Sequence, residues 1–341
     1  MAPNLDYTGI AHTRYRKMLQ HFKTLPQLLD YFKDEQTCKD YLAQHRWNGK
    51  VTCPFCEHDK IYITNRGYKC ASKTCYKKFT VTVGTIFENT KLPLRTWYAA
   101  IYLTTSHKKG ISSLQISRDL GVDKKNAWFM LQRIREVFFP DSQIPASKDG
   151  LFHVDETFIG GKNKNRHAHK KVDNSQGRST KDKTAVFGIM QTGGDVFAIK
   201  VPNTQTETLK PIIETLVDKG AIIVSDEWNA YKGLKKDYAH VVINHKEEEY
   251  VRGAFHNNNL EGFWSLFKRG YIGIYHYMSP KHLDRYCQEF SYRYNKRTTN
   301  DMDRFSDAIK RTHGKRLTWN QLTEKPDANG NVVSGEYQVV E

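Results

Sequence analysis

The chain has 341 residues, with 53 Lys and Arg against 37 Asp and Glu, which gives a formal net charge of +16. With 38% hydrophobic residues and a mean hydropathy of −0.69, it is too apolar for a disordered chain and too polar for a membrane protein. Its length predicts two or three domains. The positive charge favours a nucleic-acid partner, although charge alone leaves an acidic protein partner open.

No segment has the pattern of a targeting peptide or a membrane span. Residues 1–22 contain Arg14, Arg16 and Lys17 but no apolar run of signal-peptide length, and no later segment is long and apolar enough to cross a bilayer. We therefore expect a cytoplasmic protein with no membrane partner. In such a reducing compartment, clustered cysteines indicate a metal site rather than disulfides.

Residues 51–83 are predicted to form a zinc ribbon. Cys53 and Cys56 flank Pro-Phe, and Cys70 and Cys75 follow after thirteen residues. Two close pairs on hairpin turns can bring four thiolates together, which suits a closed, structural Zn²⁺ site. Two disulfides or four free thiols are the alternative, which the spacing and the compartment disfavour. A zinc ribbon can bind DNA, RNA or protein, so the motif indicates fold more than function.

Helices are predicted on both sides of the cysteines. Residues 1–50 form a helical N-terminal segment in this prediction, and residues 84–140 contain a helix-turn-helix. A capping box at Ser112 to Gln115, a break at Gly121 and an N-cap at Asp123 mark its two helices. The first turn of the second helix is where a recognition helix would meet the major groove, although a small helical bundle with a solvated lysine face is an equal alternative. The predicted DNA contacts in that turn are Lys124, Lys125 and Asn126.

Residues 150–300 have the pattern of a mixed α/β domain. A helix from Thr206 to Lys219 precedes the fourth strand, and two more helices are predicted near Asn258–Lys268 and from Ser279 onward. Beyond about Arg316 the pattern fades, and residues 301–341 are predicted to be a partly disordered C-terminal extension. The predicted strands are Leu151–Phe158, Thr184–Gln191, Val196–Val201 and Ala221–Ser225, with a candidate fifth strand at Val241–Asn244.

Three acidic residues of this domain could share a metal site. Asp155 lies within the first strand, Asp226 ends the fourth, and Glu261 falls early on a helix. Carboxylates near strand ends face a common crevice and suit Mg²⁺ or Mn²⁺, and two such ions about 3.5–4 Å apart can catalyse phosphodiester chemistry. Lys268, seven residues after Glu261, lies on the same helix face and could hold a phosphate. Each acid alone could equally be a capping or surface residue, so the hypothesis depends on their placement.

The segment from Lys162 to Lys183 contains eight Lys or Arg, and we expect a mobile loop that contacts DNA phosphates. A solvated loop without a partner is the alternative. The predicted contacts here are Lys162, Lys164, Arg166, Lys170 and Lys171, to which Lys268 and Arg269 are added from the helix that follows Glu261.

Ordered motifs between Arg46 and Arg297 give the chain a family resemblance. They are Arg46-Trp47, Cys53-Pro-Phe-Cys56, Gly84-Thr85-Ile86-Phe87 with Trp97, Asp155 to Lys162, Ser225 to Tyr231, His256 with Asn258, Glu261 to Ser265, and Lys268-Arg269-Gly270. In these motifs the chain resembles the zinc-ribbon DDE transposases of bacterial insertion sequences, the ISXO-like group that is related to the eukaryotic Merlin elements. Phe158 and Glu261 are departures, because the family often has Tyr at the first position and some relatives have Asn at the second.

The resemblance implies a multidomain protein in which the zinc ribbon and helix-turn-helix precede an RNase H-like catalytic domain. It also implies that Asp155, Asp226 and Glu261 are the DDE triad, with Lys268 as its basic companion. Strand alternation alone cannot say whether Asp155 or Glu156 faces the crevice, so the choice of Asp155 comes from the resemblance.

The function implied is DNA transposition with two Mg²⁺ or Mn²⁺ ions. The protein would bind the terminal inverted repeats of an element, hydrolyse phosphodiester bonds at its ends and join the 3′-OH to double-stranded target DNA. A DNA-bound homo-oligomer on the bacterial nucleoid is expected. The alternatives are an RNase H-like nuclease that cuts without joining and a DNA-binding regulator without catalysis.

Overall fold

The computed structural model describes residues 22–140, 150–161, 163–173, 175, 179–226, 229–243, 251–252, 255–256 and 258–324. None of the helices in these residues is long and apolar enough to span a lipid bilayer. The predicted contact Lys162 lies outside the described residues, as does the side chain of Lys170. The described residues form two compact units. One comprises those within Met1–Ser106, Asp119–Val122 and Thr299–Arg316, and the other those within His107–Arg118, Asp123–Thr298 and Leu317–Glu341.

Helices and strands follow one another along the chain largely as the sequence predicts. The helices are α1 (Leu25–Tyr31), α2 (Glu35–Trp47), α3 (Leu94–Ser106), α4 (Ser113–Leu120), α5 (Lys124–Glu136), α6 (Thr206–Leu216), α7 (Asn258–Gly270), α8 (Leu283–Asn295), α9 (Asp301–Lys310) and α10 (Trp319–Thr323). The strands are β1 (Ile61–Thr64), β2 (Gly67–Cys70), β3 (Lys78–Phe79), β4 (Leu151–Ile159), β5 (Thr184–Gln191), β6 (Val196–Val201), β7 (Ile222–Ser225), β8 (Ala239–Val242), β9 (Val251–Arg252) and β10 (Phe255–His256).

In the first unit, α1, α2, α3 and α9 pack around aromatic side chains. Phe32, at the end of α1, lies 4.7 Å from Tyr98 and 5.0 Å from Tyr41, measured between ring centroids. Phe305 of α9 lies 5.6 Å from Tyr98. The edge-to-face geometry of these rings adds favourable quadrupole contacts to the burial of their apolar surface. The helices predicted before Trp47 are therefore held by a core of their own.

The second unit contains a five-stranded mixed sheet in the order β6-β5-β4-β7-β8. β4 pairs antiparallel with β5 and parallel with β7, and β7 and β8 are also parallel. The mixed α/β domain is therefore confirmed. The fifth strand, β8, begins two residues before the predicted Val241, and α6 ends at Leu216 because Val217 already has an extended backbone.

Apolar side chains cover both faces of this sheet. The core in which a strand residue packs therefore shows which face its side chain is on. Phe152 and Val154 of β4 pack with α6 on one face, whereas Ile159 packs with α7 and α8 on the other. Because successive residues of a strand point to opposite faces, even-numbered residues of β4 face α6 and odd-numbered residues face α7.

The α4–α5 region has the helices and caps that the sequence predicts. Ser112 accepts a hydrogen bond from the backbone N–H of Gln115, Gly121 has φ +63°, and Asp123 accepts from the first backbone N–H groups of α5. Most of α5 beyond its first turn is buried. Arg135 of α5 pairs with the buried Glu289 of α8 at 2.5 Å. Such a buried pair is costly to break, so α5 is firmly attached to α8.

Candidate functional site

The four cysteines of the ribbon form a site that fits zinc. The Sγ atoms of Cys53 and Cys75 lie 3.8 Å apart, and those of Cys56 and Cys70 lie 3.6 Å apart. All four Sγ atoms lie within 4.8 Å of one another. Sulfurs bound at about 2.3 Å to one tetrahedral ion would be about 3.8 Å apart. The geometry therefore suits a closed Cys₄ centre of structural type.

One face of the ribbon sheet presents lysines and tyrosines to solvent. Tyr62 pairs with Lys69, which in turn pairs with Lys78, so the three side chains share a face. The ammonium of Lys69 lies 3.6 Å from the ring centroid of Tyr76, and Tyr62 and Tyr76 are both about half exposed. We call Tyr62, Lys69, Tyr76 and Lys78, together with the exposed Lys60 that precedes β1, the lysine–tyrosine face. Its outer lysines are Lys60 and Lys78.

In the α/β domain, Asp155 points toward α7. Asp155 pairs with Gly188 of β5, and directly opposed residues of an antiparallel pair lie on the same face. A methyl group added to Gly188 would lie 2.8 Å from Cη2 of Trp264, closer still to Cζ2, and 3.4 Å from Leu260. Trp264 and Leu260 belong to α7, which also carries Glu261. The odd-numbered position of Asp155 therefore directs its carboxylate to the helix that carries Glu261.

Glu156 points to the opposite face of the sheet. It pairs with Phe187, which packs in the α6-side core, and its carboxylate accepts a hydrogen bond from the hydroxyl of Tyr231. Burial raises the pKa of Tyr231, and the charges of Glu156, Asp155 and Asp226 raise it further. The Tyr231 hydroxyl thus donates to the carboxylate on its own side of the sheet.

Asp226 follows β7 beside Asp155. His153 of β4 is level with Val224 of β7 in the parallel pairing. The same register continued by two residues places Asp155 level with Asp226, and neighbouring strands are about 4.8 Å apart. By this extrapolation Asp226, the first residue after β7, lies level with Asp155 in the middle of β4.

Asp155 and Glu261 line one cleft of about 390 Å³. Glu261, Ser265 and Lys268 follow one another along the exposed face of α7, because residues three and four positions apart in a helix are neighbours. The cleft is thus acidic on its strand side and basic at the far end of the helix. It is also lined by Glu156, Trp264, Arg269 and Ile272.

The three acids do not form a compact cluster of ligand atoms. Among the described residues, only the four cysteines bring three or more His, Cys, Asp or Glu ligand atoms within 4.8 Å of one another. Oxygens bound at about 2.1 Å to a single Mg²⁺ lie within about 4.2 Å of each other. Two ions about 3.5–4 Å apart accept oxygens up to about 8 Å apart. Asp155, Asp226 and Glu261 therefore do not form a preformed one-ion site in the described part of the chain.

Both the ribbon and the α/β domain match models of transposase domains. A family model described as an ISXO2-like transposase domain matches residues 148–295. A transposase zinc-ribbon domain matches residues 33–78. The chain belongs to the zinc-ribbon, ISXO2-like transposases. The matched ranges contain the four cysteines and the acid-lined cleft, so the resemblance drawn from sequence motifs is confirmed.

Two curated relatives carry related descriptions. An uncharacterized protein in transposable element ISH50 of Halobacterium salinarum is 25% identical over 277 residues, which cover 77% of this chain and 91% of the relative. An uncharacterized transposase-like protein of Haemophilus influenzae is 29% identical over 101 residues, which cover 29% of this chain and 80% of the relative. The first of these similarities extends over most of the chain.

The predicted DNA contacts of α5 differ in their surroundings. Lys124, Lys125 and Asn126 are all exposed in its first turn. The ammonium of Lys125 lies 4.8 Å from the ring centroid of Trp319, which begins α10. A cation over an aromatic ring keeps its charge but is restrained in position. Lys124 and Asn126 therefore extend into solvent, while Lys125 is held against α10.

The described residues of the basic segment after β4 form local turns and hydrogen bonds. Short 3₁₀ turns form at Asn163–Asn165 and Ala168–Lys170, and the Asn163 side chain exchanges two hydrogen bonds with the backbone of Val172. Lys164 and Lys171 are exposed. Arg166 instead donates a 2.9 Å hydrogen bond to the carbonyl of Asp182. Arg166 therefore contributes to the fold of the segment, which leaves Lys164 and Lys171 as its accessible predicted contacts.

Sequence reasoning assigned no role to Gly188, Trp264 or Tyr231, although Gly188 and Trp264 pack together beside Asp155 and Tyr231 binds Glu156. Gly188 lies in the middle of an apolar strand, where a glycine is unfavourable unless another group approaches closely, and that was its detectable signal. Trp264 and Tyr231 belonged to family motifs, but no local pattern indicated that one packs against β5 and the other binds Glu156.

Proposed function

We propose that this protein is a DDE transposase whose RNase H-like domain cuts and joins DNA in the cleft between β4 and α7. The observation that carries the proposal is the direction of Asp155 and Glu261 into one cleft, with Asp226 level with Asp155 on the next strand. Three antiparallel strands followed by two parallel ones support the RNase H-like assignment. Divalent Mg²⁺ or Mn²⁺ held by the three carboxylates would activate the attacking oxygen and stabilise the leaving oxygen.

The acidic and basic residues at the cleft have different proposed roles: the acids bind the ions, and the basic residues position the phosphates. Asp155 on β4 and Glu261 on α7 line the cleft and would bind the ions, and Asp226, which follows the neighbouring strand, would be the third ligand. Lys268 and Arg269 lie two turns further along α7, where their charges hold DNA phosphates beside the acids. Positioning the reacting oxygen and phosphorus within the cleft removes much of the entropy cost of each step.

Two successive displacements complete the proposed reaction. Water attacks phosphorus at the end of the element, the bond to the 3′ oxygen breaks, and that oxygen leaves as a 3′-OH. This hydroxyl then attacks a phosphorus of target DNA, and the target's own 3′ oxygen leaves in turn. The first displacement hydrolyses a phosphodiester bond, and the second exchanges one phosphodiester bond for another. No enzyme-linked intermediate forms in either step.

DNA binding is assigned to the ribbon and to the exposed ends of the helices. The lysine–tyrosine face of the ribbon combines ammonium groups with exposed aromatic rings, which suits phosphate and sugar or base contacts. Lys124 and Asn126 in the first turn of α5 are the proposed helix-turn-helix contacts with the terminal inverted repeats. Lys164 and Lys171 add phosphate contacts. Binding two ends of one element requires a homo-oligomer, which we expect on DNA at the nucleoid.

Strand-transfer assays with pre-cleaved and uncleaved end DNA test the proposal. Wild type with Mg²⁺ should produce both cut and joined products, whereas Asp155→Asn, Asp226→Asn and Glu261→Gln should each abolish both. Glu207→Gln, an exposed acid in the first turn of α6, is the matched control and should retain activity. Cut products without joined ones would indicate a nuclease, and DNA binding without either product would indicate a regulator.

A further inference from the structure

Ile272 is an exposed apolar side chain at the basic end of the cleft. It is 68% exposed and lines the cleft together with Asp155, Glu261 and Lys268. Isolated apolar residues are common on protein surfaces, so exposure alone indicates nothing. The position of Ile272 does indicate a role in the cleft, because Ile272 comes four residues after Lys268 and continues the face of α7 that begins with Glu261.

The backbone that carries Ile272 is fixed on both sides. α7 continues into a π-helical turn, Tyr271–Tyr275, and such turns are frequent at functional sites. At Gly270 an added methyl would lie 2.9 Å from the Lys109 carbonyl oxygen, so the backbone is in close contact there. At the other end the Tyr275 hydroxyl donates a 2.5 Å hydrogen bond to Glu289. Ile272 is therefore presented by a rigid turn.

The charges around Ile272 favour DNA as its partner. Lys268 and Arg269 precede it by one turn and attract phosphates. A second copy of this chain, at a net charge of +16, would be repelled by the same two side chains. Apolar side chains flanked by basic residues are inserted between base steps by proteins that open or bend duplex DNA.

We propose that Ile272 is a wedge that inserts beside the base pair next to the scissile phosphate. Lys268 and Arg269 hold the flanking phosphates, and the unstacked strand end then enters the cleft toward Asp155 and Glu261. This inference rests on the proposed function, because it assumes that DNA ends are cut in this cleft. It adds a positioning residue that is neither a metal ligand nor a phosphate contact.

Fluorescence of end DNA with 2-aminopurine at the base beside the cleavage position tests the insertion directly. With Ca²⁺ in place of Mg²⁺, wild type should bind without cutting and raise the fluorescence as the base unstacks. Ile272→Ser should bind without the rise, and Ile272→Leu should restore it. Ile63→Ser, an exposed isoleucine on the ribbon face opposite Tyr62, is the control and should behave as wild type. An unchanged rise with Ile272→Ser would overturn the wedge.

Cleavage rates on fully paired and on pre-opened end DNA distinguish failure of the wedge proposal from failure of the proposed function. Ile272→Ser should cut fully paired end DNA on the order of tenfold more slowly than wild type, because the cost of unstacking then has no compensating contact. On ends with two mismatched base pairs at the cleavage position, the two proteins should cut at similar rates. Equal losses on both substrates would overturn the wedge and indicate a structural role. If wild type cuts neither substrate, the proposed function fails instead.

Discussion

Replacing Gly188 by alanine should damage the cleft without touching any acid. Gly188 lies opposite Asp155 in the β4–β5 pair, and its added methyl would point at the Trp264 ring of α7. That ring is held in the α7–α8 core and is almost fully buried, so it has little room to move. The helix that carries Glu261 would have to shift away from Asp155.

The size of the shift follows from contact distances. The methyl would lie 2.8 Å from Cη2 of Trp264 and closer to Cζ2, whereas carbon atoms pack at about 3.5–4.0 Å. Relief of the overlap requires a movement of about 1 Å. Overpacking of this kind costs about 1–3 kcal/mol of unfolding free energy. A displacement of about 1 Å at a reacting centre can cost on the order of 100-fold in rate.

Cleavage of end DNA and thermal unfolding of Gly188→Ala measure the two effects. We expect a rate loss on the order of 100-fold together with a lower melting temperature. Gly233→Ala is the matched control, since nothing lies within 4 Å of a methyl added there and the backbone φ is not in the left-handed region. Wild-type activity and melting temperature in Gly188→Ala would refute the packing argument.

Four further results are expected. Tyr231→Phe removes the hydroxyl donor to a carboxylate and should lower the unfolding free energy by about 1.5–3 kcal/mol in denaturant titration; an unchanged value would contradict that bond. Burial raises the pKa of Glu289, but the charges of Arg135 and Arg293 lower it by more, so the pKa falls from an ordinary 4.5 to about 2. Its stabilising contribution is therefore present above pH 4.5 and lost as the pH falls toward 2, and Glu289→Gln should flatten acid unfolding in that window. Chelation of zinc, or Cys56→Ser, should unfold the ribbon and release about one equivalent of metal, measured by a colorimetric indicator. Alanine at both outer lysines of the lysine–tyrosine face should reduce the salt slope of DNA affinity by about 1.8 if each contacts a phosphate; an unchanged slope would exclude them.

The sequence alone determined the local features of this protein. Cysteine spacing predicted the four-sulfur cluster, and the apolar runs predicted β5 and β6 with the bounds that the structure has. The caps at Ser112 and Asp123 were likewise readable, because a cap depends on residues within one helical turn. Each of these features is set by neighbours in the chain.

Only the tertiary structure decided which acid points toward α7. Strand alternation places Asp155 and Glu156 on opposite sides, but the side that α7 covers is fixed by packing against Gly188, far along the chain. The pair of Arg135 with Glu289 joins residues 154 positions apart, so no local pattern signals it. Periodicity defines the two sides of a strand, and long-range burial of apolar surface determines which side becomes the site.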